Sequence, residues 1–393
     1  MVSLPLRSAP LATALRNLRI VDFSRVLAGP FATMLLADLG AEVIKVERPA
    51  IGDETRGWAP PYDAQGQSTY FDAVNRNKRS VVIDLHDPAG LERAKQLASE
   101  ADVVVENFRP GLLDGLGLGY EDLKRATPGL LYCSITGFGS SEQGAALPGY
   151  DLVVQAVGGL MSVTGEPDGD PQKVGVALVD VLAGLFAAIG ILAALNHRQV
   201  TGEGQKIEIN LLSSLLAALV NQGSAFTVAG VVGGRMGNAH PSIAPYALFD
   251  TGDGQLVLAV GNDRQFRVLC EQLGEPALAD DPRYVSNPVR VAFRDALRAD
   301  LERLLATRPA SDWAARLTAA RVPAGVVNDI AGAFALAQAV GLDPVVEVPG
   351  EDGTSVRLTR NPISLSATPA RYDTAPPALP GAAESPAGDD RTQ

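Results

Sequence analysis

Leu18-Arg-Ile-Val-Asp-Phe-Ser-Arg-Val-Leu-Ala-Gly-Pro-Phe-Ala-Thr-Met-Leu-Leu-Ala-Asp-Leu-Gly-Ala-Glu-Val-Ile-Lys-Val-Glu47 holds a complete strand–helix–strand unit. Residues 18–23 form a short apolar run suited to a buried strand. The Ala28-Gly-Pro-Phe31 turn then opens a helix, with Pro30 early, where its missing N–H is not needed. Gly40 ends that helix near residue 39, and residues 41–47 read as the next strand. Further strands are expected at 80–85, 102–106 and 130–135, with a helix near 88–100. Alternation at this spacing predicts the α/β class: a Rossmann-like parallel sheet, helices on both faces, ligands at the strands' carboxyl ends.

Farther along, residues 177–232 look mostly helical, and Thr201-Gly-Glu-Gly204 separates two apolar segments, the second at 207–220. Residues 229–237 are glycine-rich and read as a loop. A smaller α+β unit should follow, with strands near 247–250 and 255–260 and helices near 264–273, 290–306 and 311–320. Strand-like sequence returns at 355–358. The expected division is a large domain over 1–228, completed by 346–375, a small α+β domain over 229–345, and a disordered Pro- and Ala-rich tail over 376–393.

At 393 residues, two domains are the default. A net charge of −12 argues against a nucleic-acid partner, so any anionic ligand needs a local basic cluster. Two cysteines give no disulfide framework, and no secretory leader is evident, which suits the cytoplasm. Only three histidines occur, with no HExxH and no Cys/His cluster, so no metal site is expected. The first strand lacks a GxGxxG, which counts against a nicotinamide-dependent oxidoreductase. The apolar run 174–195 is long enough to raise the membrane question, but Asp180 and its Ala and Gly content favour a buried helix and no membrane.

Asp180 is the only charge between Lys173 and His197. A carboxylate in apolar surroundings is costly unless bonded, paired or neutralised. It either caps the helix that follows or does chemistry, and the two are compatible, since a helix N-terminus keeps a carboxylate ionised. Arg25-Val-Leu-Ala-Gly-Pro30 is an ordinary βα turn or an anion-holding one. Arg48, Arg76-Asn-Lys-Arg79 and Asn107-Phe-Arg109 are solvated loop charges or a phosphate-binding set, with Phe108 placed to cover an adenine.

Together these segments resemble the family III CoA-transferases, a group that includes formyl-CoA transferase, carnitine CoA-transferase and α-methylacyl-CoA racemase. The landmarks are Val21-Asp-Phe-Ser-Arg-Val-Leu-Ala-Gly-Pro30, Leu39-Gly-Ala-Glu-Val-Ile-Lys-Val-Glu47, Asn77-Lys-Arg-Ser80, Val105-Glu-Asn-Phe108, Ser134-Ile-Thr-Gly-Phe-Gly139, Thr201-Gly-Glu-Gly-Gln205, Gly237-Asn-Ala-His-Pro241 and Asp281-Pro-Arg283. The resemblance implies an interlocked homodimer and no resident cofactor, with acyl-CoA and small carboxylic acids as substrates. It implies that Asp180 is both cap and nucleophile, passing through an aspartyl–acyl anhydride and an aspartyl-CoA thioester. It places CoA against the main chain of Val26 and Ala28 and against Arg48, Asn107 and Phe108, with Arg25, which replaces a histidine of formyl-CoA transferase, as a further CoA-binding candidate.

Departures from the family pattern matter too. Leu27 replaces the glutamine of formyl-CoA transferase, which argues against formyl or oxalyl chemistry of that type. Gly115 replaces an arginine found in several members, a contact that Arg109 could supply. The Leu-Gly-Glu-His-Thr element is missing after Ala375. The racemase branch uses a Gly-His-Asp histidine as base; Gly149-Tyr150-Asp151 has tyrosine, a poor base at neutral pH, and so favours CoA transfer. Tyr150 and Asp151 are then substrate-positioning candidates, and His240 is expected to shape the cleft from the small domain. Succinyl-CoA with a short dicarboxylate is the expected pair. The alternatives are an acyl-CoA racemase of the same family and a non-catalytic CoA-binding protein.

Overall fold

Six parallel strands make the main sheet in the order β3-β2-β1-β4-β5-β6. They are β1 (Arg19–Asp22), β2 (Glu42–Glu47), β3 (Lys78–Val82), β4 (Val103–Glu106), β5 (Leu131–Thr136) and β6 (Lys206–Asn210). The structure is a computed structural model describing residues 13–350 and 353–381. The central strands are apolar runs because helices cover both faces; Val103, Val104 and Val105 are wholly buried. The expected α/β class and Rossmann-like sheet are what the chain forms.

Two expected elements shift. The third strand begins at Lys78 rather than residue 80, because Lys78 itself pairs in register with Val43. The 207–220 segment is not one helical piece. Lys206-Ile-Glu-Ile-Asn alternates with period two and forms β6, after which Asn210 caps the Leu211–Ala218 helix by accepting the Ser213 N–H at 2.8 Å.

The described chain divides into two compact units: residues 13–158, 174–224, 343–350 and 353–381 in one, Gly159–Lys173 and Ala225–Leu342 in the other. The sequence expectation put residues 159–173 in the large domain. They cluster with the small unit because Arg235 donates to the Glu166 and Gly169 carbonyls at 3.1 and 2.8 Å, and Gly237 N–H to the Gly165 carbonyl at 2.9 Å. That unit carries an antiparallel sheet of β7 (Tyr246–Asp250), β8 (Gln255–Ala259) and β9 (Ala324–Val326) around its own core. The expected 290–306 helix is broken there at Phe293 into Asn287–Ala292 and Arg294–Leu305.

In the large unit, β10 (Val345–Pro349) pairs with β11 (Ser355–Thr359). The returning segment is tied down by Asp38, a buried carboxylate that accepts from Arg76 at 2.9 and 2.6 Å, Asn77 at 2.8 Å and Asn361 at 3.0 Å. The expected disorder from residue 376 does not hold at its start. Pro376 is buried and the Pro377 carbonyl accepts from Arg56 at 3.0 Å. The remainder of that tail, 382–393, lies outside the described residues. Cys133 and Cys270 are free and buried.

The long Leu178–Thr201 helix could cross a membrane by length and composition alone, but 44% of its apolar window is buried in the protein. It packs on the Ala28–Asp38 helix. Their approach requires Gly184: a Cβ there would sit 2.6 Å from the Ala28 carbonyl. Gly184→Val should therefore lower stability by about 1–3 kcal/mol, as overpacking does, read as a fall in the thermal midpoint. Gly175→Ala, with open space around it, should leave the midpoint nearly unchanged.

Candidate active site

The sheet order reverses between β1 and β4, so the loops after these strands diverge and leave a crevice at their carboxyl ends. One side chain ties the two loops together. Asn107 Oδ1 accepts the Arg25 N–H at 2.9 Å, and Asn107 Nδ2 donates to the Arg25 carbonyl at 2.7 Å. Here lies a cavity of about 350 Å³, lined by Arg25, Val26, Leu27, Ala28, Asn107, Phe108, Arg109, Tyr150 and Asp180. Residues scattered over more than a hundred positions thus share one wall.

Asp180 is not the cap of its helix, contrary to expectation. The helix starts at Leu178, with Ala177 in the cap position and no side-chain cap of its own. Asp151 supplies the missing acceptor from another helix, Asp151–Val157, taking the N–H of Val179 at 2.8 Å and of Asp180 at 3.4 Å. Gln155 fixes Asp151 by donating to its second oxygen at 2.6 Å. Gln155 is itself fully buried and accepts the Val174 N–H at 2.9 Å.

This arrangement frees the Asp180 carboxyl from capping and sets it in a poorly solvated cleft. Burial first, and the Asp151 charge second, push it up to about 7. The expectation of a firmly ionised group at a helix N-terminus is corrected accordingly. Near neutrality it exchanges between acid and carboxylate, and its carboxylate form is more basic than an ordinary one.

A residue that the sequence did not single out joins this group. The Tyr70 hydroxyl is shifted upward by burial and then by the charges of Asp180 and Asp151, which places it in the field of both. Trp58 packs edge-on against its ring at 5.3 Å. Tyr70 lies in a four-residue helix that Ser68 caps, and no local pattern marks it.

The basic residues divide in two. Arg25 belongs to the cavity: its guanidinium lies 4.7 Å from the Phe108 ring centroid and pairs with Glu54 at 2.6 Å. Arg109 lines the cavity from an exposed position. Arg48 is near but not in the wall; it shares Glu54 at 3.4 Å and donates to the Gly52 carbonyl. The cluster Arg76-Asn-Lys-Arg79 is no ligand site. Arg76 and Asn77 serve Asp38, Lys78 is buried on Asp22 at 3.2 Å, and Arg79 is an exposed charge. Gly115 stays outside the wall, with open space where a side chain would start.

His240 belongs to the small unit and lines a separate cavity there of about 440 Å³ with Arg235, Tyr246 and Arg294. Its Nδ1 accepts the Ser242 N–H at 3.0 Å, and its ring lies 5.3 Å from Tyr246. Among the described residues, no group of three His, Cys, Asp or Glu side chains could hold a metal ion.

Comparisons with known proteins identify the family. Residues 15–383 match the family model for CoA-transferase family III. The chain is 45% identical to a succinate–glutarate CoA-transferase of Agrobacterium fabrum, over 96% of this chain and 95% of that one. It is 40% identical to an acetyl-CoA:oxalate CoA-transferase of Acetobacter aceti, over 89% and 88% of the two chains. A crystal structure of a CAIB/BAIF family protein from Brucella suis superposes with a TM-score of 0.82 at 44% identity, covering 93% of this chain and 96% of that one. With its reversing parallel sheet and its match over nearly the whole length, the chain belongs to CoA-transferase family III.

Proposed function

We propose that this enzyme moves CoA from succinyl-CoA to a short dicarboxylic acid such as glutarate, with Asp180 as the nucleophile. The observation that carries the assignment is the Asp180 carboxyl, raised in basicity, in the same cavity wall as the two strand-end loops. Relatives named for succinate–glutarate exchange support the choice of acids. The cavity loops would hold CoA: Arg25 and Arg109 face its anionic groups, Phe108 its adenine, and the Val26–Ala28 backbone its pantetheine arm, with Arg48 behind.

The exchange balances without any outside reactant. An Asp180 oxygen attacks the thioester carbonyl, and the C–S bond breaks to give an anhydride and the CoA thiolate. The thiolate attacks the Asp180 carbonyl, giving aspartyl-CoA thioester and free succinate. The acceptor carboxylate displaces CoA from that thioester, and the returning thiolate takes the new acyl group and restores Asp180. First-turn N–H groups of nearby helices can stabilise the oxyanions. Asp151 would position Asp180 through the helix end, and Tyr150 would border the acyl group.

A homodimer is proposed as well, with the cytoplasm as its compartment. Leu185, Phe186, Ile189 and Leu192 lie exposed on one helix, and Ile330–Ala339 is an apolar helix with no buried residue. Sedimentation equilibrium should give twice the chain mass; a monomer at micromolar concentration would refute this.

Asp180→Ala should lose about 10³-fold or more of succinyl-CoA:glutarate turnover. Mass spectrometry of the wild type caught mid-reaction should show an acyl or CoA adduct on the peptide containing Asp180. An adduct elsewhere, or full turnover by the variant, rules out the mechanism.

Because the attacking form is the carboxylate, kcat/KM should rise with pH through a midpoint near about 7. Asp151→Asn removes the lesser of the two raising influences, so its midpoint should fall below the wild-type value but stay above that of an ordinary carboxyl. A profile flat through neutrality, or a midpoint that rises in the variant, contradicts the assignment.

A further inference from the structure

The turn bordering the cavity has a backbone problem and a buried answer to it. Val26 sits at φ 68°, in the left-handed region where a β-branched residue is strained and glycine is at ease. Strain of this kind persists only where the surroundings fix it. Asp53 does so, its two oxygens accepting the Val26 N–H at 3.2 and 3.3 Å. Asp53 is itself held from three sides. Lys45 Nζ reaches it at 2.8 Å, with both side chains fully buried. Thr55 donates its N–H at 3.0 Å and its hydroxyl at 2.8 Å, and the Asp53 N–H is taken by Glu47 at 2.8 Å.

The same ammonium secures the turn once more. Lys45 donates to the Ser24 carbonyl at 3.0 Å, while the Ser24 N–H is taken by Asp22 at 2.9 Å. The backbone is therefore anchored from below at Ser24 N, Ser24 O and Val26 N. Its other side, residues 25–28, lines the cavity, whereas neither Lys45 nor Asp53 does. Two fully buried charges are a costly way to hold an ordinary turn, and an apolar pair would pack there without the desolvation.

We infer that the Lys45–Asp53 pair is a positioning device: it holds Val26 left-handed and so aims the 25–28 backbone at the acyl-CoA. The inference rests on the CoA site proposed above. A positioning residue should act on binding of CoA, and a glycine at position 26 should make it dispensable.

Calorimetric titration with free CoA tests this, alongside kcat and KM for succinyl-CoA. Asp53→Asn should weaken CoA binding about tenfold and raise KM by a similar factor, with kcat changed less, since a misaligned contact forfeits orientation. Adding Val26→Gly should restore most of the loss, because glycine adopts the turn without a tether. Thr55→Val removes one bond to Asp53 and leaves the ion pair intact. It serves if Asp53→Asn does not fold, with about a threefold loss that Val26→Gly also reverses. Unchanged CoA affinity in a folded Asp53 or Thr55 variant, or a loss that the glycine does not reverse, overturns the inference. Failure of the wild type to bind CoA would instead overturn the proposed site.

Discussion

Everything at the cavity hangs on the join between two loops that the sheet would otherwise drive apart. Where β1 and β4 lie side by side, their following segments leave for opposite faces, and Asn107 spans them with one bond in each direction. A side-chain amide suits this place because it donates and accepts at once, matching a peptide N–H and C=O. Arg25 then stacks on Phe108 across the same gap. The crevice is a product of topology, and the amide sets its width.

Beneath that join, charge is used where a small parallel-sheet protein would ordinarily place aliphatic side chains. Asp22, Lys45, Asp53 and Lys78 are all buried within the first hundred residues. Burial raises Asp22, but Lys78, Lys45 and the hydroxyls of Ser24 and Thr33 together outweigh it and hold Asp22 below the usual carboxylate range. Lys78 is pulled down to about 8 by its desolvation despite Asp22. Such a network gains little net stability over a hydrocarbon core, but it fixes one geometry. The contrast with Asp180 is instructive. The network carboxylate is surrounded by donors and stays ionised, whereas the cavity carboxylate faces another acid and is held near neutrality.

The sheet was legible because its strands are apolar on both faces and separated by punctuating glycines, as around Gly40. β6 escaped notice because its period-two run, Lys206–Asn210, passes without any intervening turn into the apolar Leu211–Ala218 helix, so the two merge into one apolar segment. Asp180 stood out as a lone charge, yet its true partner was hidden: Asp151 is a tertiary cap 28 residues from the amide it serves. No local pattern announces a cap borrowed from another helix. Arg76 and Lys78 misled for the opposite reason. They have the composition of an anion site, and only the fold reveals that Asp38 and Asp22 already occupy them. Tyr70 could not be found from sequence, since its relevance comes wholly from which carboxyls it faces.

The two cysteines have a practical corollary. Burial drives the Cys133 thiol far above its ordinary range and Cys270 up to about 12, so neither forms thiolate at working pH. Since thiolate is the reactive form, the folded protein should react little with disulfide and maleimide reagents. Any thiol label that develops in a reaction mixture therefore marks coenzyme lost from the cycle by hydrolysis, because each complete turnover returns the thiol to a new thioester.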